Sequence, residues 1–278
     1  MKEKIRRLGR KLINNDVLWT IIKPFAKFGF FAYHNRKKQS IEVNIENFPF
    51  LSLFNKREVL HGPFKGMKYP ALTSVGSALY PKLIGCYERE LHETLEKLLV
   101  QEYTDIMDIG CAEGYYAIGL ALKLNNTRIF AYDTDETGRN LCAQMAKLNN
   151  VKDRITIKKT CTAEELEKFK FGGKALIICD CEGYESDLFN ISSIKNLTRC
   201  DLLIETHDFL DLNISVNLVN LLRNTHDVQN IKSIDDIEKV KAYFYTETDG
   251  LSLDQKMKIF RECRPTIMEW LVCTPKSD

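Results

Sequence analysis

Asp105-Ile106-Met107-Asp108-Ile109-Gly110-Cys111-Ala112-Glu113-Gly114-Tyr115 is the stretch on which the reading of this chain turns. A short apolar run ends in a carboxylate, passes through two glycines, and continues with Ala117, Leu120, Ala121 and Leu124 at helical spacing. That pattern predicts a buried strand, a tight turn and a helix N-terminus. Glycine has no Cβ, so backbone N–H groups in such a turn come close to a ligand. Asp108 falls where strand end and helix start converge, a costly place for a carboxylate without a partner.

The glycines are spaced G-x-x-x-G, unlike the G-x-G-x-x-G turn that cradles a pyrophosphate in nicotinamide and flavin sites. An acid two residues before the first glycine would also repel a pyrophosphate. Working outward, Arg128-Ile129-Phe130-Ala131-Tyr132-Asp133 is a second strand ending in an acid. Asp133 then lies at the neighbouring strand's C-terminal edge, where a carboxylate can accept hydrogen bonds from both hydroxyls of a ribose. The pattern D-x-G-x-A-x-G resembles motif I of the Rossmann-like S-adenosylmethionine (SAM) methyltransferases. The resemblance implies SAM as cofactor, with Asp108, Gly110, Cys111, Gly114 and Tyr115 around its amino-acid end. It also implies that Cys161 and Thr162 lie against the adenine and that Asp180 stands near the methyl group.

Further strands are expected over residues 155–157, 174–179, 200–208 and 268–273. Helices are expected from Tyr87 (Leu91, Leu95 and Leu98 inward), after Thr137 as cap, and over 215–223. Strands alternating with helices mean a parallel sheet covered on both faces. The expected fold is α/β, a Rossmann-like, doubly wound, mostly parallel seven-stranded sheet with an N-terminal strand and helix extension. In that extension, residues 57–60 and 64–69 read as short strands about His61-Gly62-Pro63, and Gly76 to Gly85 reads as looser. Ser233 to Arg264 is polar and mixed, as expected of a lid or substrate-selecting segment. Three regions follow: a basic amphipathic arm over 1–40, the extension over 41–100, and the methyltransferase-like domain over 101–278.

A chain of 278 residues with 44% apolar content has ample material for a full core. Nine scattered cysteines without a C-x-x-C point to free thiols in a reducing cytoplasm and away from zinc. Residues 1–38 hold eleven Lys or Arg against two acids, so the remainder of this +2 chain is net acidic. Lys23, Pro24 and Lys27 interrupt the apolar run over 17–33, which excludes a transmembrane helix there, and no small-residue cleavage site follows it. A basic, aromatic, amphipathic arm suits a membrane interface, here the inner face, or packing on protein. Nucleic acid is not an expected partner, because the body of the chain is acidic.

Asp180 and Glu182 end one strand, and Glu205 and His207 end the next, each pair spaced by two and so on one face. On adjacent strands these groups would converge where open α/β sheets hold ligands. Asp-Cys-Glu-Gly-Tyr-Glu at 180–185, with Leu188 beyond, resembles the D-x-E-G-x-E signature of FkbM-like methyltransferases, and Ile204-Glu205-Thr206-His207 resembles that family's E-x-H strand end. Gly85-Cys86-Tyr87-Glu88 and Glu262-Cys263-Arg264-Pro265 with Trp270 are similar to flanking features of one bacterial branch; Tyr87, Glu88 and Arg264 are the candidate substrate contacts. Ala112 in the turn and Asp133 in place of the commoner Glu are departures.

The resemblance implies O-methylation of a small-molecule or saccharide acceptor, plausibly in surface-polysaccharide assembly. A sugar hydroxyl is a weak acid, so a base or a metal is needed. His207 has the ordinary pKa for a base. Alternatively Asp180, Glu182 and Glu205 hold a divalent cation that acidifies the hydroxyl. A module that binds SAM without transferring methyl groups is the reading from another class. Oligomeric state is not legible.

Overall fold

The computed structural model describes residues 51–276. The arm over 1–40, its proposed membrane contact and the start of the extension over 41–50 lie outside the described residues.

Two short helices, α1 (Leu79–Ile84) and α2 (His92–Leu99), precede the sheet. Then follow β1 (Asp105–Ile109), α3 (Tyr115–Lys123), β2 (Arg128–Tyr132), α4 (Glu136–Leu148), β3 (Ile155–Lys158), α5 (Ala163–Lys168) and β4 (Ala175–Cys179). The second half adds α6 (Glu185–Leu188), α7 (Ile191–Leu197), β5 (Cys200–Thr206), α8 (Ile214–Leu222), β6 (His226–Lys232), α9 (Asp236–Ala242), α10 (Leu253–Phe260) and β7 (Glu269–Pro275). The seven strands form one sheet in the order β3-β2-β1-β4-β5-β7-β6. β1 to β5 run parallel, and β7 lies antiparallel between β5 and β6. This is the expected Rossmann-like architecture.

Burial explains the sequence signal. Every residue of β1, β4 and β5 is buried, as strands covered by helices on both faces require. Strand order reverses between β1 and β4, the place where such sheets open a crevice at their carboxyl ends. Register sets the chemistry there: Ile109 pairs with Cys179, and Cys179 with Ile204. The residues that follow, Gly110, Asp180 and Glu205, therefore emerge side by side.

Four expectations change. The short strands over 57–69 reduce to a single antiparallel bridge, Glu58 to Lys68. The stretch Gly76 to Gly85 contains α1, ended by Gly85 in the left-handed region at φ 87°. Asp135 rather than Thr137 caps α4, its carboxylate accepting the Thr137 N–H. Ser233 to Arg264 forms α9 and α10, whose Lys239, Ile259 and Phe260 are fully buried, so the segment is part of the packed body. β6 carried no strand signal because it is a polar, partly exposed edge. Among the described residues, no helix is long and apolar enough to cross a membrane.

Candidate active site

The glycine turn is built by backbone contacts. Gly110 and Cys111 donate their N–H groups to the Tyr132 carbonyl at 2.8 and 2.9 Å, tying the turn to the end of β2. Gly110 has φ 86°, and a Cβ there would fall on the carbonyl oxygen of Asp180. Gly114, at φ 90°, precedes α3, and a Cβ would meet Cys142 Sγ at 2.7 Å. Both glycines answer a backbone need first, and the Cys111 and Ala112 N–H groups between them are spent on the Tyr132 carbonyl and on Asp133.

Asp133 stands against this turn: Oδ2 accepts the Ala112 N–H at 2.7 Å, and Oδ1 accepts the Asp135 N–H at 2.7 Å. Asp108 is buried and accepts the Ala117 N–H at 2.9 Å. Burial pushes its pKa up to about 7; the Ala117 N–H opposes this, while the charges of Asp133 and Asp180 add to it. Tyr115 turns its ring into the core, 5.1 Å from Phe64 and 5.2 Å from Tyr87, so its backbone alone belongs to the turn. Cys111 and Cys161 are buried, and Thr162 spends its hydroxyl capping α5 through the Glu165 N–H.

Glu113 was not singled out by its sequence. It is fully buried and meets Lys82 Nζ at 2.5 Å, Ser74 Oγ at 2.6 Å and the Val75 N–H at 3.0 Å. This buried pair fastens the 74–82 segment to the back of the turn.

At the ends of β4 and β5 the expected constellation is assembled. His207 is buried, with Nε2 at 3.4 Å from Asp180 Oδ1 and 3.9 Å from both Glu182 Oε2 and Glu205 Oε2. Its Nδ1 meets Glu185 Oε1 at 2.6 Å. Glu185 is wholly buried and also accepts the Gly183 N–H at 3.1 Å. It lies within the quoted D-x-E-G-x-E motif, but nothing in the spacing distinguished it as the histidine's partner. Burial alone would lower the His207 pKa; the Glu185 hydrogen bond and the charges of Asp180, Glu185 and Glu182 outweigh it and raise it. Burial also raises Asp180 and Glu205; the Asp180 charge adds to the rise at Glu205, while the His207 charge opposes the rise at Asp180.

Arg264 closes the edge. Its guanidinium donates to Glu205 and Glu88, and its Nε to Glu262 Oε2 at 2.9 Å. Glu262 also pairs with the buried Lys239 at 2.6 Å. Tyr116 donates its hydroxyl to Glu88. Tyr87 and Glu88 are buried; Glu88 pairs with Arg264, whose guanidinium lies 5.9 Å from the centre of the Tyr87 ring, so the three form one network beside the ends of β4 and β5.

Sheet order, the glycine turn after β1 and the acids that end β2 and β4 define a Rossmann-like α/β domain with a crevice at the carboxyl ends of its strands. Residues 91–180 match the family model described as ribosomal protein L11 methyltransferase (PrmA). A curated ribosomal protein L11 methyltransferase from Herpetosiphon aurantiacus is 32% identical over 81 residues, 29% of this chain and 23% of that protein. The match thus spans less than a quarter of the relative's length. Among solved structures, the O-methyltransferase TomG from Streptomyces achromogenes, involved in tomaymycin synthesis and determined with SAM, is 12% identical with a TM-score of 0.46 over 70% of this chain and 83% of that chain. An O-methyltransferase from Bacillus cereus in complex with SAH is 12% identical with a TM-score of 0.45 over 69% and 82% of the two chains. The family match ends at Asp180, so Glu182, Glu185, Glu205, His207 and Arg264 all lie beyond it.

Proposed function

We propose that this chain is a SAM-dependent O-methyltransferase acting on a hydroxyl of a small polar acceptor, a saccharide. The observation that carries the reading is Asp133 hydrogen-bonded to the glycine turn at the crevice, with Asp180, Glu205 and His207 on the neighbouring strand ends. When bound, SAM supplies a methyl group already activated on a sulfonium sulfur.

The residues present fit that cofactor. Each Asp133 oxygen accepts one backbone N–H, and a carboxylate oxygen has a second lone pair, which suits a ribose diol. The surplus of acids at the crevice suits a cationic ligand. Asp180 and His207 would orient the acceptor oxygen, which loses its proton as its bond to carbon forms. The FkbM-like resemblance of residues 180–185 and 204–207 supports a hydroxyl acceptor and a saccharide in particular. The L11-methyltransferase match covers residues 91–180 and does not reach Glu182, Glu205 or His207, on which the acceptor reading rests.

The test is calorimetric titration of the full chain with SAM and with NAD(H). SAM should bind and NAD(H) should not. Asp133→Ala should weaken SAM by about 1.5–3 kcal/mol, the range for hydrogen bonds to a charged acceptor. A folded Asp133→Ala variant with unchanged SAM affinity would remove the ribose assignment.

A further inference from the structure

A cation would find its ligands already gathered at the ends of β4 and β5. Asp180, Glu205 and His207 each offer one ligand atom, and these atoms lie within 4.8 Å of one another. Ligand atoms about 2–2.6 Å from one divalent ion fit inside that span.

Three observations go beyond a gathering of acids. His207 is 2% exposed, and its Nε2 makes no hydrogen bond while facing Asp180 Oδ1 at 3.4 Å and Glu205 Oε2 at 3.9 Å. A ring nitrogen aimed at carboxylate oxygens needs a positive centre between them, a proton on the nitrogen or a bound cation. The opposite ring nitrogen, Nδ1, is held at 2.6 Å by Glu185, which is 0% exposed. A carboxylate behind the ring in this way fixes the tautomer and turns the other nitrogen toward a metal. Finally, Asp180 Oδ1 is sealed from solvent and accepts no hydrogen bond. Glu205 divides its oxygens: Oε1 takes Arg264, which leaves Oε2 on the His207 side.

We infer that Asp180, Glu205 and His207 bind one divalent cation of the Mg²⁺ or Mn²⁺ kind at this edge. Two carboxylates and one imidazole are a hard, oxygen-rich set suited to such ions. For its chemical consequence the inference rests on the methyltransferase reading. The cation takes the acceptor hydroxyl and acidifies it, and the proton passes to Glu182, whose side chain is 63% exposed, and on to water. The oxygen–carbon bond forms as the carbon–sulfur bond breaks, and sulfur keeps that electron pair as a neutral thioether. His207 is then a ligand rather than the base.

The experiment strips the full chain with EDTA, titrates it with Mn²⁺ alone, and follows the free ion by electron paramagnetic resonance. SAM affinity is measured on the same samples. Saturable uptake of one ion per chain is expected. His207→Ala and Asp180→Asn should each weaken it tenfold or more. Glu185→Gln should weaken it about 10–100-fold, the range for losing an outer-shell partner. Glu164→Gln on exposed α5 should leave it unchanged. A wild type that binds SAM but takes up no Mn²⁺ saturably overturns the inference and returns His207 to the role of base. So does uptake that neither His207→Ala nor Asp180→Asn alters. Saturable Mn²⁺ uptake without SAM binding keeps the site and removes the methyltransferase reading instead.

Discussion

Both carboxylate oxygens of Glu90 are sealed from solvent without a hydrogen-bond donor. Burial, with the nearby charge of Glu262, pushes the Glu90 pKa up to about 7, and Lys239 opposes that rise only in part. A carboxyl whose pKa is raised on folding favours the folded state while protonated. Its contribution is full below about 4.5, the unfolded value, and is lost as pH rises through about 7. Glu90→Gln, neutral throughout, should therefore melt above the wild type at pH 8, by roughly 1–3 kcal/mol, with the gap closing toward pH 5. Thermal melts at the two pH values decide it; a gap that does not change with pH would show that Glu90 is not a strained acid.

At the level of elements, the turn after β1 is held from both sides. In front, Gly110 lies against the Asp180 carbonyl, so Gly110→Ala would push β1 and β4 apart at their ends. The variant is expected to lower the melting temperature as well as SAM affinity, so Asp133 is the cleaner probe of the cofactor. Behind, Lys82 and Glu113 are a buried ion pair. Lys82→Met alone should cost about 3–5 kcal/mol because it strands the Glu113 charge, whereas Lys82→Met with Glu113→Leu should cost less. Chemical denaturation of the single and double variants measures this, and a double variant as unstable as the single one would refute the ion-pair account.

For the molecule as a whole, the charge is divided between a basic stretch over 1–38 and an acidic remainder. If that stretch attaches the protein to an anionic membrane surface, its deletion should release the protein from phosphatidylserine vesicles and leave SAM affinity intact. Salt should weaken vesicle binding of the full chain, since part of the attraction is screened charge. Equal partitioning with and without residues 1–38 would favour packing of the arm on protein.

By itself the sequence determined the parallel half of the sheet, the glycine turn and the acids at its edge. These features are local: a strand buried on both faces must be a continuous apolar run, as β1, β4 and β5 are. A spacing of two puts Glu205 and His207 on one side wherever the strand is placed. What the tertiary structure decided involves residues far apart in the chain. β7 enters antiparallel beside β5, pairing Trp270 with Glu205, and the nearby Arg264 reaches both Glu205 and Glu88. That join depends on strand order, which no local pattern encodes. β6 left no signal because an edge strand needs only one paired neighbour and tolerates polar residues. The partnership of Glu185 with His207 and that of Lys82 with Glu113 are likewise products of folding. Burial makes such pairings obligatory, because an unpartnered charge in the interior costs several kcal/mol; which charge meets which is set by the path of the chain.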